Sequence, residues 1–363
     1  MFHFKKTLLG AAIAATTMAA GTANAYMLGD PNDANVEVYG VVSISAVDYN
    51  AKKFDDKAAS GYKELAQDGM VFENESRVGF RAAKTMNDHL EAFVQIESGW
   101  VLDDGAELGN RDTFVGFRGD DWGSVRFGRM LTPMYELVDW PYSASNMGTT
   151  FDRGWREGER FNFDRKSQMM RYDSPMYGDI VKFSLAAGNG SSNEEDSQFF
   201  GGSISITPLE VLTLHAGFEI ADETEFDKDL VGETSAYFTG FQFSLTDNWN
   251  VAGAYKTGDF EADAHTAAQY KERDIEAFSL QTNYFMGDFN FRLGYADQTG
   301  DTDNESDKEL DFTTITGELG YSLNSVYTFL RIAQHSGTYR TNTALAGEDY
   351  DDVMVRIGTE WTF

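Results

Sequence analysis

The sequence predicts an all-β protein, a 16-stranded antiparallel transmembrane β-barrel. Three observations lead to this fold class. From residue 36 to the last residue, apolar side chains recur at every second position, which is the period of a strand. The connections alternate between seven short turns and eight longer polar links, as in barrels that span a membrane. No helical periodicity is long enough to support an α/β fold.

The first 25 residues are predicted to be a secretory signal peptide, and residues 26–363 to be one barrel domain. Lys5 and Lys6 form a basic start, an apolar run follows, and the small residues 23–25 are typical of a cleavage site. A membrane anchor is the alternative. It is disfavoured because the apolar run is shorter than the roughly 20 residues that cross a bilayer.

Charge and cysteine content exclude several classes of function. Without residues 1–25, which carry two lysines and no acidic residue, the chain has 27 basic and 59 acidic side chains, a net charge of −32. Such a charge argues against a nucleic-acid partner, because phosphate backbones are bound by Lys and Arg. The chain has no cysteine, so disulfides and thiolate metal sites are excluded.

Each predicted strand has one apolar face and one polar face. In the first strand Val42 and Ile44 share an apolar face, and Ser43 and Ser45 share the other face. The short turns are predicted near Asn87-Asp88, Asp120-Asp121, Met176-Tyr177-Gly178, Pro208-Leu209-Glu210, Asp247-Asn248, Gly287-Asp288 and Asn324-Ser325. The longer links are predicted near residues 50–71, 99–110, 130–167, 188–197, 222–233, 258–273, 298–309 and 337–350.

Alternation alone would also fit a water-soluble sandwich, but three further signals favour the membrane. Aromatic residues lie near predicted strand ends, as in interfacial girdles: Trp122, Tyr177, Trp249, Phe285 and Phe289. An even number of strands lets a barrel close without an unpaired edge, which lipid would penalise. The chain finishes in a strand whose apolar face includes Trp361 and Phe363, and these two residues are predicted to close the barrel.

Residues 126–171 form the longest stretch with little strand pattern, and we expect this stretch to be functional. Loops of such length are uncommon in compact domains unless they have a function. The stretch carries eight basic and six acidic residues, whereas the whole chain is strongly acidic. The rest of the sequence is therefore interpreted as a wall built around this loop.

The sequence gives no support for an enzyme, a cofactor or a metal site. The histidines after residue 25 are scattered over different predicted strands and loops, and no HExxH, GxSxG or phosphate-loop motif is present. Acidic residues alternate in the link 298–309, but they lack the register of an EF-hand. A solvated acidic loop is therefore favoured there over a calcium site.

Several short motifs, in their order and spacing, resemble the Gram-negative general diffusion porin family. They are Val38-Tyr39-Gly40, Ser76-Arg77-Val78-Gly79-Phe80, Phe114-Val115-Gly116-Phe117, Phe127-Gly128-Arg129 and Arg171-Tyr172-Asp173-Ser174-Pro175, together with the terminal strand. The resemblance covers essentially the whole chain after residue 25. It implies a homotrimer of 16-stranded barrels in the outer membrane of a Gram-negative bacterium, each with a long third loop folded into the lumen.

The resemblance also implies partners. The last strand with its final Phe363 resembles the signal that the outer-membrane assembly machinery reads. The barrel would be surrounded by outer-membrane lipid and lipopolysaccharide. For the acidic loops themselves two interpretations stay open: they bridge to lipopolysaccharide through divalent cations, or they keep the protein soluble in salty surroundings. The transported partners would be small hydrophilic solutes and ions.

By the same resemblance, a set of charged residues is expected at the pore constriction. The basic members are Arg77, Arg129, Arg165 and Arg171, and the acidic members on the loop are Asp139, Asp152, Glu157 and Glu159. Arg129 departs from simple alternation, because it shares its parity with residues that would face lipid. Either the strand ends or bulges before Arg129, or this residue is not at the constriction. A bulge is favoured, since a charge facing mid-depth lipid costs about 2–4 kcal/mol.

The function that the resemblance implies is passive diffusion through a loop-narrowed lumen, across which opposed charges set up a transverse field. Two rivals stay open: a solute-specific porin, for instance for an anion such as phosphate, and a barrel that acts as an adhesin or receptor. The acidic loops attract cations at low salt, but salt screens charges beyond about 8 Å. We therefore expect moderate cation preference at low salt, fading towards neutrality or weak anion preference as salt rises.

Overall fold

The computed structural model describes residues 26–28, 35–51, 70–99, 107–143, 147–152, 165–190, 196–227, 230–262, 272–302, 310–339 and 348–363. Its strands are β1 Tyr26–Leu28, β2 Asn35–Ala51, β3 Met70–Asn74, β4 Arg77–Asn87, β5 Leu90–Gly99, β6 Thr113–Gly119, β7 Gly123–Leu131, β8 Arg165–Asp173, β9 Val181–Gly188, β10 Gln198–Leu209, β11 Leu212–Asp227, β12 Leu230–Thr246, β13 Trp249–Ala262, β14 Glu272–Met286, β15 Phe289–Thr302, β16 Leu310–Leu323, β17 Val326–Tyr339 and β18 Glu348–Thr362. Its helices are α1 Pro133–Leu137 and α2 Gly148–Phe151, separated by an irregular helical turn, Val138–Tyr142. The predicted signal peptide lies outside the described residues.

These strands form one antiparallel sheet that closes on itself. Each strand from β4 onward pairs with the next strand along the chain, and β18 pairs back to β2. β3 and β4 pair with successive parts of β2 and form one interrupted wall strand, and the short β1 pairs with the first residues of β2. The wall therefore has 16 strand positions, and the predicted barrel is confirmed.

The seam between β18 and β2 stays paired up to the last residue. The pairing runs from Asp352 with Ala51 to Thr362 with Val41. Beyond it, the backbones of Phe363 and Gly40 exchange two hydrogen bonds of 3.0 and 3.1 Å. A Cβ added at Gly40 would lie 2.7 Å from the Phe363 ring, so this close approach requires glycine.

The two faces of the wall differ in chemistry as the alternation predicts. On β15, Phe291 and Leu293 are exposed on the outer face, whereas Asn290 and Arg292 are buried on the inner face. The outer face of the last strand exposes Val353, Val355, Ile357 and Trp361. An apolar outer face suits lipid, and a polar inner face suits a water-filled lumen.

One end of the barrel has short turns at the positions predicted from the sequence, and the other end has the longer links. The turns at 287–288 and 324–325 contain Gly287 and Asn324, with φ of 60° and 53°. Glycine and asparagine are the residues that adopt this left-handed region most readily. Among the described helices, none is both long and apolar enough to cross a membrane.

Deleting residues 361–363 is expected to impair closure, because the deletion removes hydrogen bonds that the last strand makes with residues 40–42. The measurement is the amount of folded, heat-modifiable protein recovered from outer membranes. Asn324→Gly is a matched control, since glycine readily adopts the φ of Asn324, and it should keep wild-type levels. Wild-type levels in the deletion variant would contradict the role of the seam.

Candidate functional site

The segment between β7 and β8 starts with a short helix whose position is set locally by its cap. The side chain of Thr132 accepts a hydrogen bond of 3.3 Å from the Tyr135 N–H, and Pro133 follows in the first turn. The helix α1 has only five residues, so it is too short to be stable alone. Its position therefore depends on the wall against which it packs.

A buried ion-pair network ties α1 to the wall. Arg171 of β8 donates hydrogen bonds to Glu136 of α1 and, at 3.0 Å, to the Leu131 carbonyl. Arg171 also donates to Asp173 at 2.9 Å, and Asp173 accepts a second bond of 2.6 Å from Arg126. Arg171 is only 4% exposed. The guanidinium of Arg171 thus holds the start of the segment against β8.

Glu136 is the member of this network that faces open space, with a side chain that is 55% exposed. Burial within the protein would raise its pKa, but the Arg171 guanidinium outweighs that effect and holds the pKa of Glu136 below its usual value. Glu136 is therefore ionised at neutral pH and keeps a negative charge inside the barrel.

Beyond α1, the described parts of the segment lie along the inner wall from β9 to β16. α1 packs on β9, β10 and β11, the irregular turn on β13 and β14, and α2 on β14, β15 and β16. Tyr142, Met147 and Phe151 are fully buried against this wall. Complete burial of such a side chain is worth about 1.5–3 kcal/mol, which favours this position over a solvated loop.

Small residues on the inner wall make room for these side chains. A Cβ added at Gly240 would lie 2.7 Å from the Tyr142 ring, and one added at Gly294 would lie 2.6 Å from the sulfur of Met147. Alanines form the rest of the contact surface: Ala236, Ala252, Ala254, Ala277 and Ala296. The apolar side chains of the segment therefore fill the space that larger side chains on the wall would otherwise occupy.

Hydrogen bonds to the backbone fix the irregular turn on β14. Ser279 donates to the Tyr142 carbonyl at 2.5 Å, and Gln281 donates to the Pro141 carbonyl. Further along, Thr150 of α2 forms a hydrogen bond of 2.7 Å with Thr314 of β16. Polar contacts thus attach the segment at two places beyond its anchor at Arg171.

The arc of wall from β17 through β18 and β2 to β6 carries a row of arginines on or beside its inner face. We call this row the basic arc: Arg331, Arg356, Arg77, Arg81 and Arg111. Most of its members are paired with acids of the same arc or the neighbouring wall. Arg331 pairs with Glu318 at 2.6 Å, Arg111 with Glu97 at 2.6 Å, and Arg356 with Glu73.

Arg81 is held differently, because it stacks on an aromatic ring. Its guanidinium lies 3.8 Å from the centroid of the Tyr39 ring and donates to Gln95 at 2.9 Å. Tyr39 in turn donates to Glu97 at 2.9 Å. These contacts orient a positive charge on the part of the wall that the described segment leaves uncovered.

The predicted constriction residues fall into different places. Arg77 lies half-buried on the inner face of β4, opposite Val41 and Gly99. Arg165 is the first residue of β8 and pairs with Asp112 at 2.6 Å, which places it at the end of the barrel with the longer links. Arg171 is the buried anchor described above, and it faces Glu136 rather than the acids predicted for it.

Among the predicted acids, Asp139 is exposed on the irregular turn, and Asp152 accepts a bond of 3.4 Å from Tyr135. Glu157 and Glu159 lie outside the described residues. A continuous constriction loop across the lumen therefore stays a prediction, as do the roles of these acids. At the seam, Trp361 is 56% exposed on the outer face, next to Phe363.

The bulge expected before Arg129 is found in the partner strand, which corrects the sequence interpretation. Gly128 pairs with Met169 and Met130 with Lys166, so two residues of β8 lie opposite Arg129. β7 continues to Leu131 without an extra residue, and Arg129 keeps its outward parity. Its guanidinium donates to the Asn110 carbonyl at 2.9 Å and to the Ser167 hydroxyl at 2.5 Å.

Sequence reasoning missed the acids that pair with the arginines. Glu136 stands in α1 and was not singled out, although its distance in sequence from a cap at Thr132 marks it as a first-turn acid. Asp173, Glu97 and Glu318 share their inward parity with neighbouring polar residues, and that parity could have identified them. The alternation of charged residues on inner positions was the usable signal.

Comparison with known proteins decides the family. The model of the family described as Gram-negative porin matches residues 10–339. The chain belongs to this porin family. The porin is 33% identical over 396 residues to the chitoporin of Vibrio furnissii, with 99% of each chain covered.

Solved structures agree on the fold. The outer-membrane expressed OmpT of Vibrio cholerae matches this porin with a TM-score of 0.71 at 14% identity, covering 93% of this chain and 100% of that chain. The in-vitro folded trimer form of the same protein matches with a TM-score of 0.68 at 13% identity, covering 91% and 100%. Family membership makes this protein an outer-membrane channel for passive diffusion of solutes, as the resemblance implied.

Asp173→Asn is expected to lower the free energy of unfolding by about 3 kcal/mol. The change removes the carboxylate that pairs with Arg126 and Arg171 and leaves buried guanidinium groups without full compensation. Urea unfolding in lipid vesicles, followed by tryptophan fluorescence, measures the change. Asp288→Asn in an exposed short turn is the control and should stay within about 0.5 kcal/mol. Equal effects of the two substitutions would contradict the anchoring role.

Glu136→Gln is expected to have a small effect that depends on pH. The cost at neutral pH is less than about 1 kcal/mol, because the carboxylate is more than half exposed. The pKa of Glu136 is lowered in the folded protein. The variant is therefore less stable than wild type by the whole of this free energy of unfolding above the ordinary glutamate pKa of about 4.3, and the difference disappears as the pH falls through the lowered pKa. Unfolding midpoints over a pH series measure this difference. A difference that grows towards acid pH would contradict the assigned ion pair.

Proposed function

We propose that this porin is a general diffusion channel whose lumen is narrowed by the segment 132–152. The observation that carries the proposal is the packing of its described parts along β9 to β16, and the proposed passage would run beside the basic arc. The passage needs no bond-making step and no cofactor, so we propose no enzymatic activity. Small hydrophilic solutes and ions would pass down their concentration gradients.

The selectivity of the passage arises from charges on its two sides. Glu136 and Asp139 lie on the segment side, whereas Arg77, Arg81 and Arg331 lie on the basic arc. Charges across a narrow lumen with low-dielectric walls act more strongly than the same charges in bulk water. Polar solutes can align in such a field, but apolar solutes have to displace ordered water.

Ion selectivity is proposed to be weak, because many of the arginines are already paired with wall carboxylates. The excess of acidic residues lies mainly in the longer links, where salt screens charges beyond about 8 Å. Moderate cation preference at low salt, fading as salt rises, follows from these two effects.

A saccharide-preferring channel is the second candidate. The relationship to the Vibrio furnissii chitoporin, at 33% identity over nearly the full length of both chains, favours it. Liposome swelling separates the two candidates: a general channel admits neutral solutes according to size, whereas a saccharide channel admits sugars faster than polyols of the same size. Block of single-channel current by micromolar chitin oligosaccharides would favour the second candidate.

We propose that the assembled form is a homotrimer embedded in outer-membrane lipid and lipopolysaccharide, delivered by the outer-membrane assembly machinery. The family resemblance and the trimer form of Vibrio cholerae OmpT support this assembly. The mass of the detergent-extracted, unheated protein tests it, and a monomer mass would contradict it.

Arg77→Gln is expected to shift the channel towards cations, because the substitution removes a positive charge from the inner face of β4. A unit charge acts on an ion about 8 Å away with about 0.5 kcal/mol in water, so the cation-to-anion permeability ratio should rise about two- to fourfold. Reversal potentials in asymmetric potassium chloride measure the shift. Arg129→Gln is the matched control, since Arg129 keeps outward parity, and it should change the ratio much less. Equal shifts would place both arginines at the constriction.

A further inference from the structure

Arg292 of β15 is the arginine of the inner wall whose partners are least complete among those described. Its side chain is only 4% exposed, and its Nη1 lies 3.5 Å from Oε1 of Glu318. Its Nε and Nη2 atoms are buried and have no hydrogen-bond partner. A buried guanidinium with two unused donors is costly, because each donor has lost its bonds to water.

Glu318 has little capacity left for the unused donors of Arg292, because other groups already occupy it. Arg331 donates to Oε2 of Glu318 through Nε at 2.8 Å and Nη2 at 2.6 Å. Tyr327 donates to Oε1 at 2.6 Å. Two guanidinium groups thus share the carboxylate of Glu318, and Glu360 of β18 is a further acidic neighbour of Arg331.

The unused donors of Arg292 form one edge of the guanidinium. Nε and Nη2 point in parallel, and this edge matches the two oxygens of a carboxylate or phosphate. Asn283 lies directly opposite Arg292 in the sheet register, and Thr316 lies on the same inner face of the next strand. The side-chain oxygens of Asn283 and Thr316 are also buried without partners. The Thr316 hydroxyl can donate to an anion bound at this edge, whereas the Asn283 oxygen only accepts.

The irregular turn of the loop segment covers this place. The ring centroid of Trp140 lies 5.5 Å from the Arg292 guanidinium carbon. The backbone of Trp140 departs from helical geometry, with φ −144° and ψ 127°, and its side chain is partly exposed. Trp140 is thus a side chain of the loop segment that lies against this guanidinium.

We infer that the Nε–Nη2 edge of Arg292, flanked by Thr316, binds the carboxylate or phosphate group of a permeating solute. The inference rests on the proposed channel function, because a solute reaches this edge only through the lumen. It adds an anion-binding step beneath the loop segment to a passage that otherwise selects by size and field.

Single-channel recording of the full porin in planar bilayers tests the inference, with inorganic phosphate in one arm and acetate in the other. In wild type, each oxyanion should reduce the chloride current in a saturable way. In Arg292→Gln the concentration for half effect should rise about tenfold or more, because a pair of charge-assisted hydrogen bonds is lost. Arg292→Lys should lose the effect similarly, since an ammonium group lacks the two parallel donors.

Two further variants keep the test decisive. Asn283→Asp places a carboxylate opposite Arg292, so it should fill the edge and remove the oxyanion effect while the channel still conducts. Arg118→Gln is the control, because Arg118 pairs with Glu91 near a short turn, and it should respond like wild type.

The outcomes are separable. An unchanged response in Arg292→Gln, or a wild-type response in Arg292→Lys, would overturn the site, the latter by showing that charge alone suffices. Absence of conductance in wild type would instead overturn the proposed channel function. A response to phosphate but not to acetate would limit the site to phosphate groups and still support it.

Discussion

Backbone pairing in lipid is the constraint on which the rest of this structure depends. A strand edge left open in the hydrocarbon region would expose N–H and C=O groups that nothing there can satisfy, at several kcal/mol each. The seam between β18 and β2 removes that edge, and the two hydrogen bonds between Phe363 and Gly40 extend the pairing to the last residue. Because the barrel is closed, the side chain of each wall residue faces either the lumen or the lipid. Charges placed at alternate positions consequently collect in the lumen without any special motif.

The inner wall is uneven, and this unevenness decides where the loop segment lies. Glycine and alanine on β12 to β15 leave space that Tyr142, Met147 and Phe151 fill. The other arc carries arginines, whose size and charge offer no such space. The buried Arg171 fixes the start of the segment. The apolar side chains of the segment then pack on the nearest part of the wall that is lined by glycine and alanine. The shape of the inner wall thus decides where the described parts of the loop segment lie.

The sequence was sufficient for the barrel, because a period of two and alternating link lengths are strong, repeated signals. It was also sufficient to point at the segment after β7. It was less informative about individual charged residues. The family resemblance placed Arg77 at the constriction, but parity could not show that the bulge beside Arg129 belongs to β8, since a bulge depends on the pairing of two strands. Nor could it show that Arg171 is buried, because burial depends on where α1 folds back. Contacts between residues that are distant in sequence, such as Arg292 with Trp140, leave no local signal at all.

A channel has to hold a solute strongly enough to admit it and weakly enough to release it. Pairing within the wall achieves part of this balance. Arg331 donates hydrogen bonds to Glu318, and Arg111 donates one to Glu97. Each of these arginines therefore attracts a passing anion less than an unpaired arginine would. Arg292 differs, because it shares Glu318 with Arg331 and because its Nε and Nη2 atoms have no hydrogen-bond partner. The described wall therefore combines paired arginines on the basic arc with the incompletely paired Arg292 beside Trp140. Such an arrangement keeps the attraction of the paired arginines weak and places a stronger one beneath the loop segment.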